Sequence, residues 1–345
     1  MTGRDLALAH SRRSSQALPA ARGRVVQRAR SRSGRLVLSV GSGTVALVLA
    51  VVVAQRFADI AWPDLRVNPG LLAAAAGLSL LGYAFKAYGW ERLFAAHERP
   101  QPLALAAAMG GASVTALALP GRFDDVVRIA IVRRFRGCPA GVRALCLSLF
   151  MLGLVDAAAL APLALIAAAL PGHSLALRLG LLVLVGVGLA AAALIVALPR
   201  LTASSPVVRF RLGRWVRPRT VSLREALEAW ALVSACWLTR AVGLCVLFSA
   251  LGLGFSLTLA LLFLCASSAA AALPVGPGGS ATQAGAGAAI LIASGVGVTE
   301  AVGAAVASQV LGILVGASIF LVATAWRTSL RVMPLYRPAS AMGSR

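Results

Sequence analysis

The sequence predicts an all-α polytopic membrane protein: about six full transmembrane helices plus two oppositely oriented re-entrant helical hairpins. Two observations carry this. Long Ala, Leu and Val runs make the 345-residue chain 59% hydrophobic and 13% charged, with mean hydropathy +0.86, more apolar surface than a water-soluble globule can cover. The charge that remains is basic, net +22, and sits mostly between the apolar runs, as orientation signals and anionic-lipid contacts do. That placement argues against nucleic acid as a partner.

In chain order, residues 1–35 hold nine arginines and a single acid, Asp5. They cannot bury enough surface to fold and are expected to form a disordered Arg-rich cytoplasmic arm. Residues 36–326 make the transmembrane domain and 327–345 a short basic cytoplasmic tail. Six apolar stretches reach the ~20 residues that a helical span needs: 36–54, 71–90, 145–170, 179–198, 229–251 and 298–325. Two broken stretches, 103–135 and 257–293, lie between them.

Charge then sets the topology, because cytoplasmic loops concentrate arginine. If 103–119 simply crossed, Arg122, Arg128, Arg133, Arg134, Arg136 and Arg143 would fall outside, followed by the Arg-rich loop 199–224 and the tail. If 103–135 instead dips in and returns on the same face, 28 of the 33 basic residues lie inside, with both termini on the cytoplasmic side of the cell membrane. The return leg agrees, since the apolar run Val126 to Val132 contains Arg128 and is too short to cross at ~1.5 Å per residue. The second break is approached from the opposite face, after Gly252-Leu253-Gly254. Interrupted segments inserted with inverted topology in two halves of a membrane protein point to a midplane binding site.

Chemistry concentrates in Leu117 to Arg136, ALALPGRFDDVVRIAIVRRF. Pro120 removes a backbone donor and Gly121 frees φ, so a helix must stop there, and the next one offers unsatisfied N–H groups suited to an anion. Arg122 adds a guanidinium that fits a phosphate fork, with Arg128 further along. Asp125 and Arg128, three apart, can pair on one face. A structural alternative stands beside this: Asp124 and Asp125 cap the helix while the arginines face headgroups. In the second break, Pro274, Pro277, Gly278 and Gly279 stop one helix, and Ser280, Thr282 and Gln283 open the next with neutral polar groups. The Gly/Ala-rich run 284–289 reads more readily as close packing than as a binding surface. At membrane depth, Asp156 is the sharpest ionisable residue, and Arg240 is the partner offered to it; Lys86 and Glu300 lie nearer span ends and can snorkel.

The five cysteines form no CxxC pair and the three histidines match no metal spacing, so neither a disulfide framework nor a metal site is expected, and no cofactor. No GxSxG, HExxH or P-loop is present.

These motifs resemble a known family. LALPGRFDDVVRIAIVRR, residues 117–134, resembles the PGRxGExxRxxLLRR signature of the membrane (flippase-like) domain of lysylphosphatidylglycerol synthases, and LPVGPGGSATQAGAGAAIL, residues 273–291, resembles that family's LPxSPGGxGxREGxxxLL. Pro120, Gly121, Arg122 and Arg128 match, Asp125 stands where the family has Glu, and Pro277, Gly278 and Gly279 match. Asp124 replaces a Gly, Ala281 a Gly, Gln283 the Arg and Ala284 the Glu of the second motif. The family's large members add an aminoacyl-transfer domain, which is not expected here. The resemblance implies translocation of a lipid with an anionic headgroup, either an anionic phospholipid or a lipid-linked sugar. Two other readings are weighed against it. One is a non-transporting partner of an envelope-biosynthesis enzyme, acting through the arginine-rich inner surface. The other is an enzyme on a polyprenyl phosphate, for which Asp125 is the one candidate acid or base.

Overall fold

A computed structural model describes residues 68–116, 123–135, 138–171, 174–203, 222–272 and 279–332. These belong to the larger of two compact units, Val53–Arg345. The expected arm 1–35, the expected span 36–54 and most of the expected tail lie outside the described residues.

Among the described residues every regular element is helical. Helices α1 (Pro69–Glu91), α4 (Val142–Ala169), α5 (Leu175–Ala203), α6 (Leu223–Ala250) and α9 (Val298–Val332) contain five stretches long and apolar enough to cross a membrane, answering to five of the six expected spans. The chain is a polytopic membrane protein. Helices α2 (Pro102–Thr115) and α3 (Phe123–Arg134) pack as one hairpin, and α7 (Leu257–Ala272) and α8 (Gly279–Ala293) as another. Their arms hold 12 to 16 residues, ~18–24 Å of helix against a ~30 Å hydrocarbon core. As described, each of the four falls short of that thickness.

Local chemistry sets the helix ends more closely than hydropathy does. Asn68 caps α1, its Oδ1 accepting from the Gly70 and Leu71 N–H groups at 3.0 and 3.3 Å, with Pro69 in the first helical position. The apolar run of α6 begins near 229, yet the helix starts at Leu223. A capping box places it there: Ser222 Oγ accepts from the Glu225 N–H at 3.3 Å, and Glu225 Oε2 accepts from the Ser222 N–H at 3.1 Å. Apolar length measures what a bilayer needs, whereas caps satisfy the first turn.

Contacts along the helices give their directions. Helices α1 and α6 are antiparallel, because the Asn68 N–H donates to Ala250 O at 3.1 Å at one end, while Arg92 pairs with Glu228 at 3.2 Å and Arg99 with Glu225 at the other. Helix α4 also opposes α1, since Trp90 Nε1 donates to Ser148 Oγ at 3.0 Å and Lys86, one turn earlier in α1, meets Asp156, two turns later in α4. The finish of α3 reaches the finish of α9, where Arg327 lies over the Phe135 ring at 5.3 Å. One end of the bundle therefore collects Arg92, Arg99, Arg133, Arg134, Arg143, Arg224 and Arg327. We call it the basic end.

The α2–α3 hairpin opens at the basic end and the α7–α8 hairpin at the far end. After α6 the chain turns through Gly252 and Gly254, at φ +83° and +78°, a region that a residue with a Cβ rarely adopts. Beyond that turn α7 begins beside the end of α6, where Phe248 and Phe263 meet edge-to-face at 5.6 Å. Ala75, Leu247, Ala260, Leu291, Ala301 and Ala305 complete the apolar core at this end. A larger core, built on Trp90, Leu105, Val132, Leu145, Val155 and Val233, surrounds the first hairpin. The outward face of α5 exposes Leu179, Leu182, Val183, Val187 and Leu189, an apolar surface suited to lipid.

Glycines let the short helices approach closely. A Cβ on Gly110 of α2 would lie 2.3 Å from Gly316 O of α9, and one on Gly287 of α8 would meet the Phe263 ring at 2.3 Å. The Gly/Ala run of α8 is used here for packing. Gly110→Ala is expected to destabilise the protein by about 1–3 kcal/mol through overpacking against backbone, read as a lowered thermal midpoint in detergent. Gly153→Ala, whose Cβ meets nothing within 4 Å, is expected not to lower it.

Candidate functional site

Helix α3 begins at Phe123, so Asp124 and Asp125 occupy its first turn, where carboxylates complement the helix dipole. Arg128 reaches back to both. Its Nη2 lies 2.9 Å from Asp124 Oδ2 and its Nη1 2.9 Å from Asp125 Oδ1. Spacing alone predicted the Asp125 pair; Asp124, read from sequence only as a cap, completes a fork. Nη1 donates to Asp125 Oδ1, Nη2 is ion-paired with Asp124, and Nε is buried without a hydrogen-bond partner among the described residues. The Nε–H donor thus remains to be placed. An unmet donor of this kind costs ~1–3 kcal/mol, and an anionic oxygen is the acceptor that would recover it. Pro120, Gly121 and Arg122 lie outside the described residues.

The second hairpin is neutral. Gly279 is the first residue of α8, which has no acid in its first turn and no base in its last. Gln283 is half-buried, and its backbone carbonyl accepts from Ser267 Oγ at 3.1 Å, joining α7 to α8. Pro277 and Gly278 lie outside the described residues.

A third polar group sits within the bundle, and here the structure corrects the sequence reading. Asp156 does not pair with Arg240; it pairs with Lys86, Nζ to Oδ2 at 2.8 Å, with the two side chains only 21% and 23% exposed. Arg240 instead stacks on Trp237, its Cζ 5.1 Å from the ring centroid, and Lys86 Nζ lies 5.5 Å from the same centroid. The cause is helix register. The α1–α6 pairing carries the Arg240 stem past Gly82, where a Cβ would lie 3.6 Å from Arg240 Cγ, while the Trp90–Ser148 bond brings Asp156 against α1. Lys86 looked able to snorkel from a span end, and nothing in the sequence marked Trp237. Glu300 is exposed in the first turn of α9, a favourable place for a carboxylate.

Residues 35–320 match the family described as the lysylphosphatidylglycerol synthase TM region. The chain belongs to this family. The match takes in both hairpins, every transmembrane helix described above up to Phe320 of α9, and both motifs on which the resemblance rested. No curated protein and no solved structure matches the chain. Membership in the lysylphosphatidylglycerol synthase TM region carries a lipid-related membrane role, and the matched part is that family's membrane domain. Among the described residues no group of three or more His, Cys, Asp and Glu side chains is placed to hold a metal ion.

Because the Lys86–Asp156 pair is mostly buried, removing one partner strands the other. Lys86→Met is expected to cost on the order of 2 kcal/mol, more than the double replacement Lys86→Met with Asp156→Leu. Thermal unfolding of the two variants in one detergent checks the order.

Proposed function

We propose that the protein moves a lipid with an anionic or phosphate-linked headgroup between the leaflets of the cytoplasmic membrane, by flipping or scrambling, with its basic end toward the cytoplasm. The observation that carries the reading is Arg128. It stands on a short helix that starts inside the bundle, locked in orientation by Asp124 and Asp125, with its Nε–H donor still unspent. Membership in the lysylphosphatidylglycerol synthase TM region supports a lipid as the cargo.

The mechanism follows from charge and geometry. Arginines at the basic end concentrate anionic headgroups by attraction. A headgroup entering the α2–α3 hairpin meets the helix dipole of α3 and the guanidinium of Arg128, and the Pro120-Gly121-Arg122 segment that precedes α3 in the sequence carries a second guanidinium. The carboxylates on Arg128 keep that charge from trapping the phosphate, since a cargo that must leave has to bind weakly enough to be released. The neutral α7–α8 hairpin, whose sequence carries Pro277, Gly278, Gly279 and Gln283, offers backbone and amide groups to a headgroup moving on. No covalent step and no cofactor is needed.

The neutrality of α8 also favours a second reading, a non-transporting partner that holds an envelope-biosynthesis enzyme against its basic surface. Purified protein that moves no lipid yet co-purifies with such an enzyme would decide for it.

In reconstituted vesicles, Arg128→Ala is expected to slow headgroup translocation about tenfold or more, the loss of one charged hydrogen-bonding group, with the thermal midpoint near that of the wild type. Arg128→Lys, which keeps charge but not the fork, should fall between them. Unaltered translocation by Arg128→Ala would sink the assignment.

A further inference from the structure

Lys86, Asp156, Trp237 and Arg240 come together within the bundle. Asp156 is at the middle of the 28-residue α4, and Arg240 lies just past the middle of the 28-residue α6. The helices that carry them each pack against a hairpin arm: α1 against α2, α4 against α3 and α7, and α6 against α7. The group thus stands on three helices that each also pack against a hairpin arm. Its charge does not balance. Asp156 neutralises Lys86, and Arg240, exposed on α6, has the Trp237 face but none of the described ion pairs. A lone guanidinium at this depth costs several kcal/mol against hydrocarbon, so it belongs beside a polar path or an anion. Three buried polar atoms on the same two helices point the same way: Trp237 Nε1, Ser234 Oγ one turn earlier on α6, and Asp156 Oδ1 on α4 have no hydrogen-bond partner among the described residues.

We propose that Lys86, Trp237 and Arg240 form a mid-depth station for the phosphate of a lipid headgroup in transit, while Asp156 Oδ1 accepts from a hydroxyl or amine on that headgroup. This rests on the translocation reading and adds a second binding step to it. The donors suit a phosphate: the Arg240 guanidinium, the Lys86 ammonium, the Trp237 indole N–H and the Ser234 hydroxyl. The Trp237 ring holds both cations by cation–π attraction, so neither swings out when the phosphate leaves. The Lys86 charge, shared with Asp156, keeps the station from binding too tightly.

The test uses the full chain in phosphatidylcholine vesicles that contain a phosphatidylglycerol analogue with a photoreactive diazirine on its headgroup. Cross-linked peptides are mapped by mass spectrometry, beside a translocation assay. Label on the α6 segment from Ser234 to Arg240 is expected, reduced about tenfold in Arg240→Gln, largely restored in Arg240→Lys, and retained on α3 in both. Equal α6 labelling in Arg240→Gln overturns the station. Where that variant fails to fold, wild-type label on α6 supports the station and its absence overturns it. Label on α3 alone, with lipid still moving, overturns the station and leaves the translocation reading standing. No label on either helix and no transport overturns both. Loss of the α6 label to excess soluble glycerol phosphate shows a site for a free phosphate ester and overturns the lipid assignment.

Discussion

The antiparallel pairing of α1 with α6 is the constraint on which the rest of the bundle depends. Polar contacts close it at both ends: Asn68 to Ala250 at the far end, and Arg92 to Glu228 with Arg99 to Glu225 at the basic end. Small residues let the backbones close along its length. A Cβ on Gly89 would lie 2.9 Å from Val233 Cγ2, and Gly82 and Gly243 face the partner helix in the same way. In lipid, where apolar burial no longer drives helices together, such close backbone packing and interhelical polar contacts are what hold a bundle. This register decides which polar residues of α1 and α6 share a level, and so places Lys86 and Arg240 against Trp237.

A bilayer tolerates a helix break only where protein or water can satisfy the exposed backbone groups. The two hairpins meet this condition by packing into the bundle from opposite ends. Gly111 takes the Ile131 side chain within the first hairpin, and Gly287 takes the Phe263 ring within the second. Tyr83 Oη and Ser113 Oγ, hydrogen-bonded at 2.6 Å, fix the first hairpin to α1. Each hairpin thus brings a helix start to a depth that a continuous span would pass through with its backbone groups already bonded. Their chemistry differs. The start of α3 holds two carboxylates and a guanidinium locked together, while that of α8 holds none.

Two charged groups in the bundle share a design in which a cation is oriented by partners that do not use up all its donors. Arg128 is held by two carboxylates of its own helix, and Lys86 by one carboxylate and an aromatic face. Orientation without saturation suits a site that must accept an anion and then let it go.

Local patterns were enough to read much of this from sequence. Span lengths, the Pro-Gly and Gly-rich breaks, the bias of arginine to one end and the Asp125–Arg128 pair all depend on neighbours within a turn or on hydropathy summed along the chain. Hydropathy misjudged where α6 starts only because a capping box extends the helix into polar residues, and that box, Ser222 to Glu225, was itself visible. The family motifs at 117–134 and 273–291 were legible for the same reason, being contiguous. What the tertiary structure alone decided is which distant residues meet. The partner of Asp156 is Lys86 rather than Arg240, because interhelical register is set by glycines and end contacts spread over three helices, and no periodicity within one helix encodes it. Trp237, apolar in pattern and silent in sequence, becomes the common face of two cations by the same cause.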